Sequence, residues 1–170
     1  MNNEVAHLIN QLQLIPHPEG GYFRETYRSD GIIPQNALPQ KFAGDRNYQT
    51  AIYYLLQSGD FSAFHRINSD ELWHFYEGQS LEIFVLKPAQ GLHIIRLGKN
   101  LNEGEQFQAI VEAGVWFASR PVKSESETYS LVGCTVAPGF DFSDFEMAER
   151  AALVREYPQH SEIIEQLTRQ

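Results

Sequence analysis

The sequence has one cysteine, no long apolar run and little positive charge. Because Cys134 has no partner for an internal disulfide, we expect a protein of a reducing compartment, the cytoplasm. The apolar stretches are shorter than the roughly 20 residues that cross a bilayer, and residues 1–4 lack the basic start of a secretory signal. Thirteen Lys and Arg stand against 22 Asp and Glu, giving a net charge of −9. The composition therefore argues against a nucleic-acid or membrane partner.

The motifs of several common chemistries are missing as well. The sequence contains no glycine-rich phosphate loop, no Gly-x-Ser-x-Gly elbow and no Cys-x-x-Cys pair. Cys134 lies in a strand-like apolar run, which favours a buried, inert thiol over a nucleophile. With 42% hydrophobic and 12% aromatic residues and no repeat or linker, the 170 residues predict a single globular domain spanning 1–170.

Helical spacing of apolar residues occurs only towards the two ends. An N-terminal amphipathic helix is predicted by Val5, Leu8, Ile9 and Leu12. Near the other end, Ser143 and Glu146 have the spacing of a capping box, which predicts a helix from there to about Tyr157. A last short helix is expected over 161–169.

Period-two alternation between these ends predicts a series of short strands. The predicted strands cover residues 22–29, 50–56, 61–67, 71–76, 80–87, 92–97, 107–111, 115–119 and 128–136. Closely spaced strands with Gly- and Pro-containing turns are typical of a β-sandwich or a closed barrel. The long segment 30–48 reads as a loop that covers the mouth of the barrel or contacts a second subunit.

Residues 59–78 carry the strongest functional signal. Since alternate side chains of a strand share a face, His65 and Ile67 are expected on one face, and Glu71, Trp73 and Phe75 on one face of the next strand. A hairpin through Asn-Ser-Asp would bring the imidazole and the carboxylate into one cavity. A charged residue amid so much apolar sequence requires a partner or a function.

This stretch resembles the first motif of the cupin superfamily. Gly59, His65, Glu71 and Gly78 fall on the spacing of that motif, but Ile67 stands where the family has a second His.

The second cupin motif resembles residues 112–117, with Gly114 in its turn and Phe117 in place of the last metal-binding His. Together with residues 20–27, 70–78 and 137–145, the sequence is similar to a cupin subfamily of unassigned function. The resemblance implies a mainly β, jelly-roll barrel (a double-stranded β-helix) with an N-terminal helix and short C-terminal helices. It also implies a homodimer, with the N-terminal segment and residues 30–48 as contacts.

Three functions follow from these residues. Cupins often bind a divalent metal through three His and one Glu, but only His65 and Glu71 remain here, so no metal or cofactor is predicted. A metal-dependent enzyme stays an alternative.

A metal-free acid/base enzyme is the second reading. His65, oriented by Glu71, would act as base, and a tyrosine on the opposite wall as acid, as in the sugar epimerases and isomerases of this fold. Tyr53 is the candidate acid, with Tyr22 and Tyr129 equally defensible.

A non-catalytic binding module is the third reading. Its pocket for a small polar, possibly sugar-like metabolite would be lined by Arg24, Trp73, Phe75, Trp116, Phe117 and Phe140.

Overall fold

The computed structural model describes residues 3–122 and 128–169. The chain begins with helix α1 (Asn3–Gln11), and the first five strands are β1 (Ile15–Pro16), β2 (Tyr22–Arg28), β3 (Ile32–Ile33), β4 (Arg46–Asn47) and β5 (Thr50–Gln57). There follow β6 (Ser62–Arg66), β7 (Asp70–Gly78), β8 (Leu81–Lys87), β9 (Gly91–Leu97), β10 (Gln108–Val111), β11 (Trp116–Pro121), β12 (Tyr129–Ala137) and β13 (Glu146–Met147). Helices α2 (Arg150–Glu156) and α3 (Ser161–Gln166) come last.

The strands form two antiparallel sheets that face each other. One has the order β1-β2-β5-β12-β7-β10 and the other β13-β6-β11-β8-β9, while β3 and β4 form a separate pair. The core lies between the sheets, where Tyr54 and Trp73 of the first sheet meet Ile83, Val85 and Phe117 of the second. The strand-exchanged order is that of a jelly roll, so the predicted fold class is confirmed, although the two sheets do not close into a continuous barrel.

Helices cover the outer faces of the sheets. Val5 of α1 packs with Leu55 and Tyr129 on the six-stranded sheet, and α2 and α3 bury Leu153 and Ile164 against the five-stranded sheet. These helices follow the apolar periodicity of the sequence because each has one stripe that must leave water. Among the described residues, no helix is long and apolar enough to cross a membrane.

The expected hairpin between β6 and β7 is wrong. Strand β6 pairs with β11 and β13, whereas β7 pairs with β12 and β10 in the other sheet. The connection is a crossover between the sheets, in which Asn68 donates to the Lys41 carbonyl at 2.9 Å and Ser69 to the Pro138 carbonyl at 2.7 Å. The alternation itself holds, since His65 and Glu71 reach the same cavity from opposite sheets.

The capping box at Ser143 is also wrong. Residues Phe142–Asp144 form a 3-10 turn, and Glu146 belongs to β13, where its carboxylate binds Arg66 at 2.7 Å. The helix begins only at α2, where Glu149 accepts from two backbone N–H groups. Pairing of Glu146 with β6 therefore overrides the local preference for a capped helix. This is a tertiary effect, which the spacing of residues in the sequence does not predict.

The long segment 30–48 contains β3 and β4 and packs on its own chain. Phe42 is 2% exposed, and Arg46 forms a buried ion pair with Asp144. Through Asp144, the segment stabilises residues 142–145, which border the cavity described below. Its predicted contact in a dimer stays a prediction.

Candidate functional site

A cavity of about 260 Å³ lies between the two sheets. Strands β2, β5 and β12 supply one wall, and His65 of β6 and Glu71 of β7 project into it. The turn before β2 and the segment after β12 complete the lining. Its aromatic residues are Phe23, Phe140, Phe142 and Phe145.

The turn before β2 places two polar side chains, His17 and Glu19, in this cavity. The Gly20 N–H donates to the His17 carbonyl at 3.0 Å, and the phenol of Tyr54 donates to the Gly20 carbonyl at 2.7 Å. Gly20 has φ of 120°, and a Cβ there would collide with the carbonyl of Phe61, so the turn requires glycine. The backbone itself thus fixes where Glu19 points.

Glu19 forms an ion pair with His65. Its Oε2 lies 3.1 Å from His65 Nε2, and both side chains are at least nine-tenths buried. The other ring nitrogen, Nδ1, lies 2.7 Å from the Ala63 carbonyl oxygen. Since a carbonyl only accepts, Nδ1 is the protonated nitrogen of the neutral ring, and the contact between Nε2 and Oε2 is an ion pair when the ring holds a second proton.

This arrangement changes the predicted roles. Glu19, rather than Glu71, is the partner of His65, and both nitrogens of the imidazole are already engaged. Since Glu19 also lines the cavity, we expect a ligand to contact the carboxylate of this pair. His65 orients the Glu19 carboxylate and stabilises its negative charge.

Glu71 is the second carboxyl of the cavity. Burial raises its pKa to about 8, the negative charge of Glu19 adds to the rise, and the neighbouring Cys134 and Trp73 side chains oppose it. Glu71 is therefore mostly a neutral acid near pH 7. Cys134 is buried, as predicted, and burial raises the pKa of its thiol, which disfavours the thiolate.

His17 lies beside the ion pair. Its Nδ1 is 3.3 Å from the Glu19 backbone nitrogen and 3.6 Å from Glu19 Oε2. Burial lowers the pKa of His17. The negative charge of Glu19 raises this pKa, and the positive charge of His65 lowers it.

The mouth of the cavity carries a separate charged group. Arg28 binds both carboxylate oxygens of Glu25, at 2.9 and 2.7 Å, and donates to Asn47 Oδ1 at 2.8 Å. Asp141 accepts from the Ser143 N–H, and this hydrogen bond lowers the pKa of Asp141. With Arg28 neutralised by Glu25, the mouth has no surplus of positive charge.

The three tyrosines considered as acids lie away from the cavity. Tyr22, Tyr53 and Tyr129 all pack beneath α1 on the outer face of the six-stranded sheet. Arg24 is on that face too, 5.6 Å from the centre of the Tyr53 ring. Neighbouring residues of a strand face opposite sides of the sheet, so Tyr54, the next residue of β5, points inward. Its phenol donates to the Gly20 carbonyl and so supports the turn that carries His17 and Glu19.

The predicted aromatic lining is only partly assembled. Phe140 lines the cavity, and the ring of Phe117 packs 4.1 Å from that of His65. Trp73 and Phe75 belong to the core rather than to the lining. Trp116 lies on the outer side of its sheet, beneath Arg66 at 4.3 Å.

The donor set does not fit the metal that many cupins bind. Ile67 lines the cavity where a second His would be needed, and Phe117 stands opposite His65 in the β6–β11 register. His65 directs one nitrogen to a backbone carbonyl and the other to Glu19. Among residues 3–122 and 128–169, no group of three His, Cys, Asp or Glu side chains is arranged to hold a metal ion.

Sequence reasoning missed Glu19 and His17. Both lie in a Pro- and Gly-containing turn, where alternation assigns no face. The sequence His-Pro-Glu-Gly-Gly immediately before a strand could have indicated them, because it combines two titratable groups with a turn of restricted geometry.

Two facing antiparallel sheets in jelly-roll order, with a cavity between them at the positions of the first cupin motif, define a cupin. Residues 6–148 match the family described as "Cupin superfamily (DUF985)", and the chain belongs to this family.

Relatives of similar length are known in structure. A hypothetical protein from Leishmania major has 33% identity and a TM-score of 0.88, over 97% of this chain and 98% of its own. Protein SO0799 from Shewanella oneidensis has 39% identity and a TM-score of 0.82, over 96% of each chain.

The uncharacterised protein YML079W of Saccharomyces cerevisiae is 32% identical over 84% of this chain and 74% of its own. Oxalate decarboxylase from Bacillus subtilis shares only the fold, with 12% identity and a TM-score of 0.53 over 89% of this chain and 36% of its own.

Proposed function

We propose that the cavity binds a small, uncharged, polar metabolite of sugar-like character and that Glu19, paired with His65, exchanges a proton with it without a metal. The observation that supports this most directly is the presence of two carboxyl groups in different surroundings in one cavity. Glu19 faces the imidazole of His65 at 3.1 Å, whereas Glu71 is held neutral by burial. Two titratable groups in such different environments are the usual sign of an acid and a base.

Charge supports an uncharged ligand. Arg28 is engaged by Glu25, Asp141 is ionised, and an ion pair of the Glu19 carboxylate with a His65 ring protonated on both nitrogens has no net charge. A phosphate or carboxylate would enter such a cavity without a cation to balance it. Hydroxyl groups, in contrast, can bind the carboxyls while apolar C–H faces pack on the phenylalanine rings.

The test is a binding and exchange screen on the whole protein. Neutral monosaccharides and small hydroxyketones, with their phosphorylated counterparts, are examined by thermal shift and then incubated in D₂O. We expect binding of neutral compounds and deuterium at the carbon next to a carbonyl. Glu19→Gln should slow exchange at least about 100-fold, and Glu103→Gln, at an exposed carboxylate, should not. Preference for the phosphorylated compounds would contradict the proposal.

A non-catalytic binding module is the second candidate. Four phenylalanine rings line the cavity, which is the composition of a site that selects by shape and stacking. Binding without exchange in the wild-type protein, with affinity unchanged by Glu19→Gln, would favour this candidate. The cytoplasmic location and the homodimer predicted from the sequence stay predictions.

A further inference from the structure

His17 has a hydrogen-bonding pattern that sets its tautomer. Its Nδ1 lies 3.3 Å from the backbone nitrogen of Glu19, which is a donor. A protonated Nδ1 would place two donors against each other, so Nδ1 is unprotonated and accepts this hydrogen bond. The neutral ring must then carry its proton on Nε2.

The surroundings of the ring favour the neutral form. Phe23 and Phe142 pack against it, with ring centres 4.5 and 6.1 Å away. The titratable groups facing it are Glu19 of the same turn, His65 of β6 and Tyr54 of β5, whose ring centre is 6.0 Å away. Glu19 directs its Oε2 to His65 at 3.1 Å and lies farther from His17 Nδ1, at 3.6 Å, and burial outweighs its effect and lowers the pKa of His17.

The Nε2–H group of His17 is available to a ligand. His17 lines the cavity, and within the described part of the chain the hydrogen bond of its ring is made through Nδ1, which leaves Nε2 for a ligand. A neutral imidazole donor beside a carboxylate that can take a proton is suited to a substrate oxygen that gains negative charge.

We propose that His17 is a locked, neutral hydrogen-bond donor of this site, which binds the carbonyl oxygen of an α-hydroxy aldehyde or ketone while Glu19 removes the proton from the adjacent carbon. This inference rests on the proposed function and adds its substrate class. The electron pair of the broken C–H bond forms a carbon–carbon double bond, and the carbonyl π electrons move to the oxygen. The resulting oxyanion is stabilised by the Nε2–H group. Return of the proton to carbon restores a carbonyl, so no oxidant or reductant is needed.

The first measurement is the tautomer itself, in the full-length protein labelled with [¹⁵N]histidine. The chain has six histidines, which single His→Gln variants assign. We expect His17 to keep a protonated Nε2 and an unprotonated Nδ1 at neutral pH, because burial lowers its pKa. An ordinary titration of His17, or a proton on its Nδ1, would overturn the inference.

The second measurement is deuterium exchange into small hydroxyketones. His17→Leu removes the donor and should lower the exchange rate about 100- to 1,000-fold, with the apparent affinity changed only a few-fold. His17→Gln keeps an N–H donor and should retain more of the rate than His17→Leu. Equal rates for the wild-type protein and His17→Leu would contradict the role of His17 alone. If the wild-type protein exchanges nothing, the proposed function fails, and the tautomer measurement still decides the state of His17.

Discussion

Glu19 Oε2 lies 3.1 Å from His65 Nε2, across the gap between a surface turn and the interior strand β6. The backbones of the two regions are joined as well, because the Ala63 N–H donates to the Glu19 carbonyl at 2.9 Å. Ala63 in turn accepts from His65 Nδ1 at 2.7 Å. One residue of β6 therefore orients both members of the ion pair.

A double-mutant cycle separates the two carboxyl groups as partners of His65. For Glu19→Gln and His65→Gln we expect a coupling free energy of about 0.5–3 kcal/mol, measured by urea unfolding, because the side chains are in contact. For Glu71→Gln and His65→Gln we expect less than about 0.5 kcal/mol, since no hydrogen bond or ion pair joins them in the described residues. The reverse order would restore Glu71 as the partner.

The raised pKa of Glu71 makes stability depend on pH. Its pKa is about 8 in the folded chain against an ordinary value of 4.5, so between these values the folded state binds a proton that the unfolded state has lost. Stability should therefore fall as the pH rises through this window, by up to about 1.4 kcal/mol per pH unit.

Glu71→Gln removes that dependence and serves as the comparison. Unfolding in urea at about pH 5, 6.5 and 8 should show a shallower slope for this variant than for the wild-type protein. Glu103→Gln, at an exposed position, should keep the wild-type slope. Parallel slopes for all three proteins would mean that Glu71 is ionised throughout.

Two neighbouring tyrosines on β5 should respond differently to loss of the hydroxyl. Tyr54→Phe removes the 2.7 Å hydrogen bond to Gly20 and should cost about 0.5–1.5 kcal/mol of stability and slow exchange, because the turn carrying Glu19 loses its support. Tyr53→Phe, on the outer face, should leave exchange unchanged. If Tyr53→Phe slowed exchange more than Tyr54→Phe, Tyr53 would again be the candidate catalytic acid, and the site would lie on the outer face of the sheet.

Arg46 should be essential to the shape of the cavity although it does not line it. Its guanidinium binds both oxygens of Asp144 at 2.6 Å, and Phe142 and Phe145 on either side of Asp144 border the cavity. Arg46→Met leaves the buried Asp144 carboxylate without its cation, while the Asn68 amide still donates to it at 3.1 Å. We expect a loss of about 3–5 kcal/mol and weaker ligand binding. Arg96→Met, at an exposed ion pair, should cost less than about 1 kcal/mol. Similar losses would show that Asp144 finds another partner.

Metal content tests the donor set. Elemental analysis of protein purified without a metal-affinity step should find far less than one metal ion per chain, and a chelator should leave the melting temperature unchanged. The reason is that both nitrogens of His65 are engaged by Ala63 and Glu19. Near-stoichiometric metal that disappears in His65→Ala would contradict this prediction.

Local patterns were sufficient for the longer strands and for the shared cavity of His65 and Glu71, but they missed the two-residue strands β1, β3, β4 and β13. Alternation depends only on which side of a strand a residue occupies, so it holds even though β6 and β7 belong to different sheets. Local sequence patterns gave a wrong prediction where pairing with a distant strand determines the structure. At Ser143, strand pairing of Glu146–Met147 with β6 prevails over the capping box.

The sequence by itself determined the cupin jelly roll, the loss of two family ligand positions to Ile67 and Phe117, and the presence of a titratable pair in the interior. Only the tertiary structure decided which groups pair. Glu19 meets His65 because a turn fixed by Gly20 docks on β6, and the two lie far apart in the chain. Burial between the sheets then sets the protonation of Glu71, since desolvation depends on the packed surroundings and not on neighbouring residues in sequence.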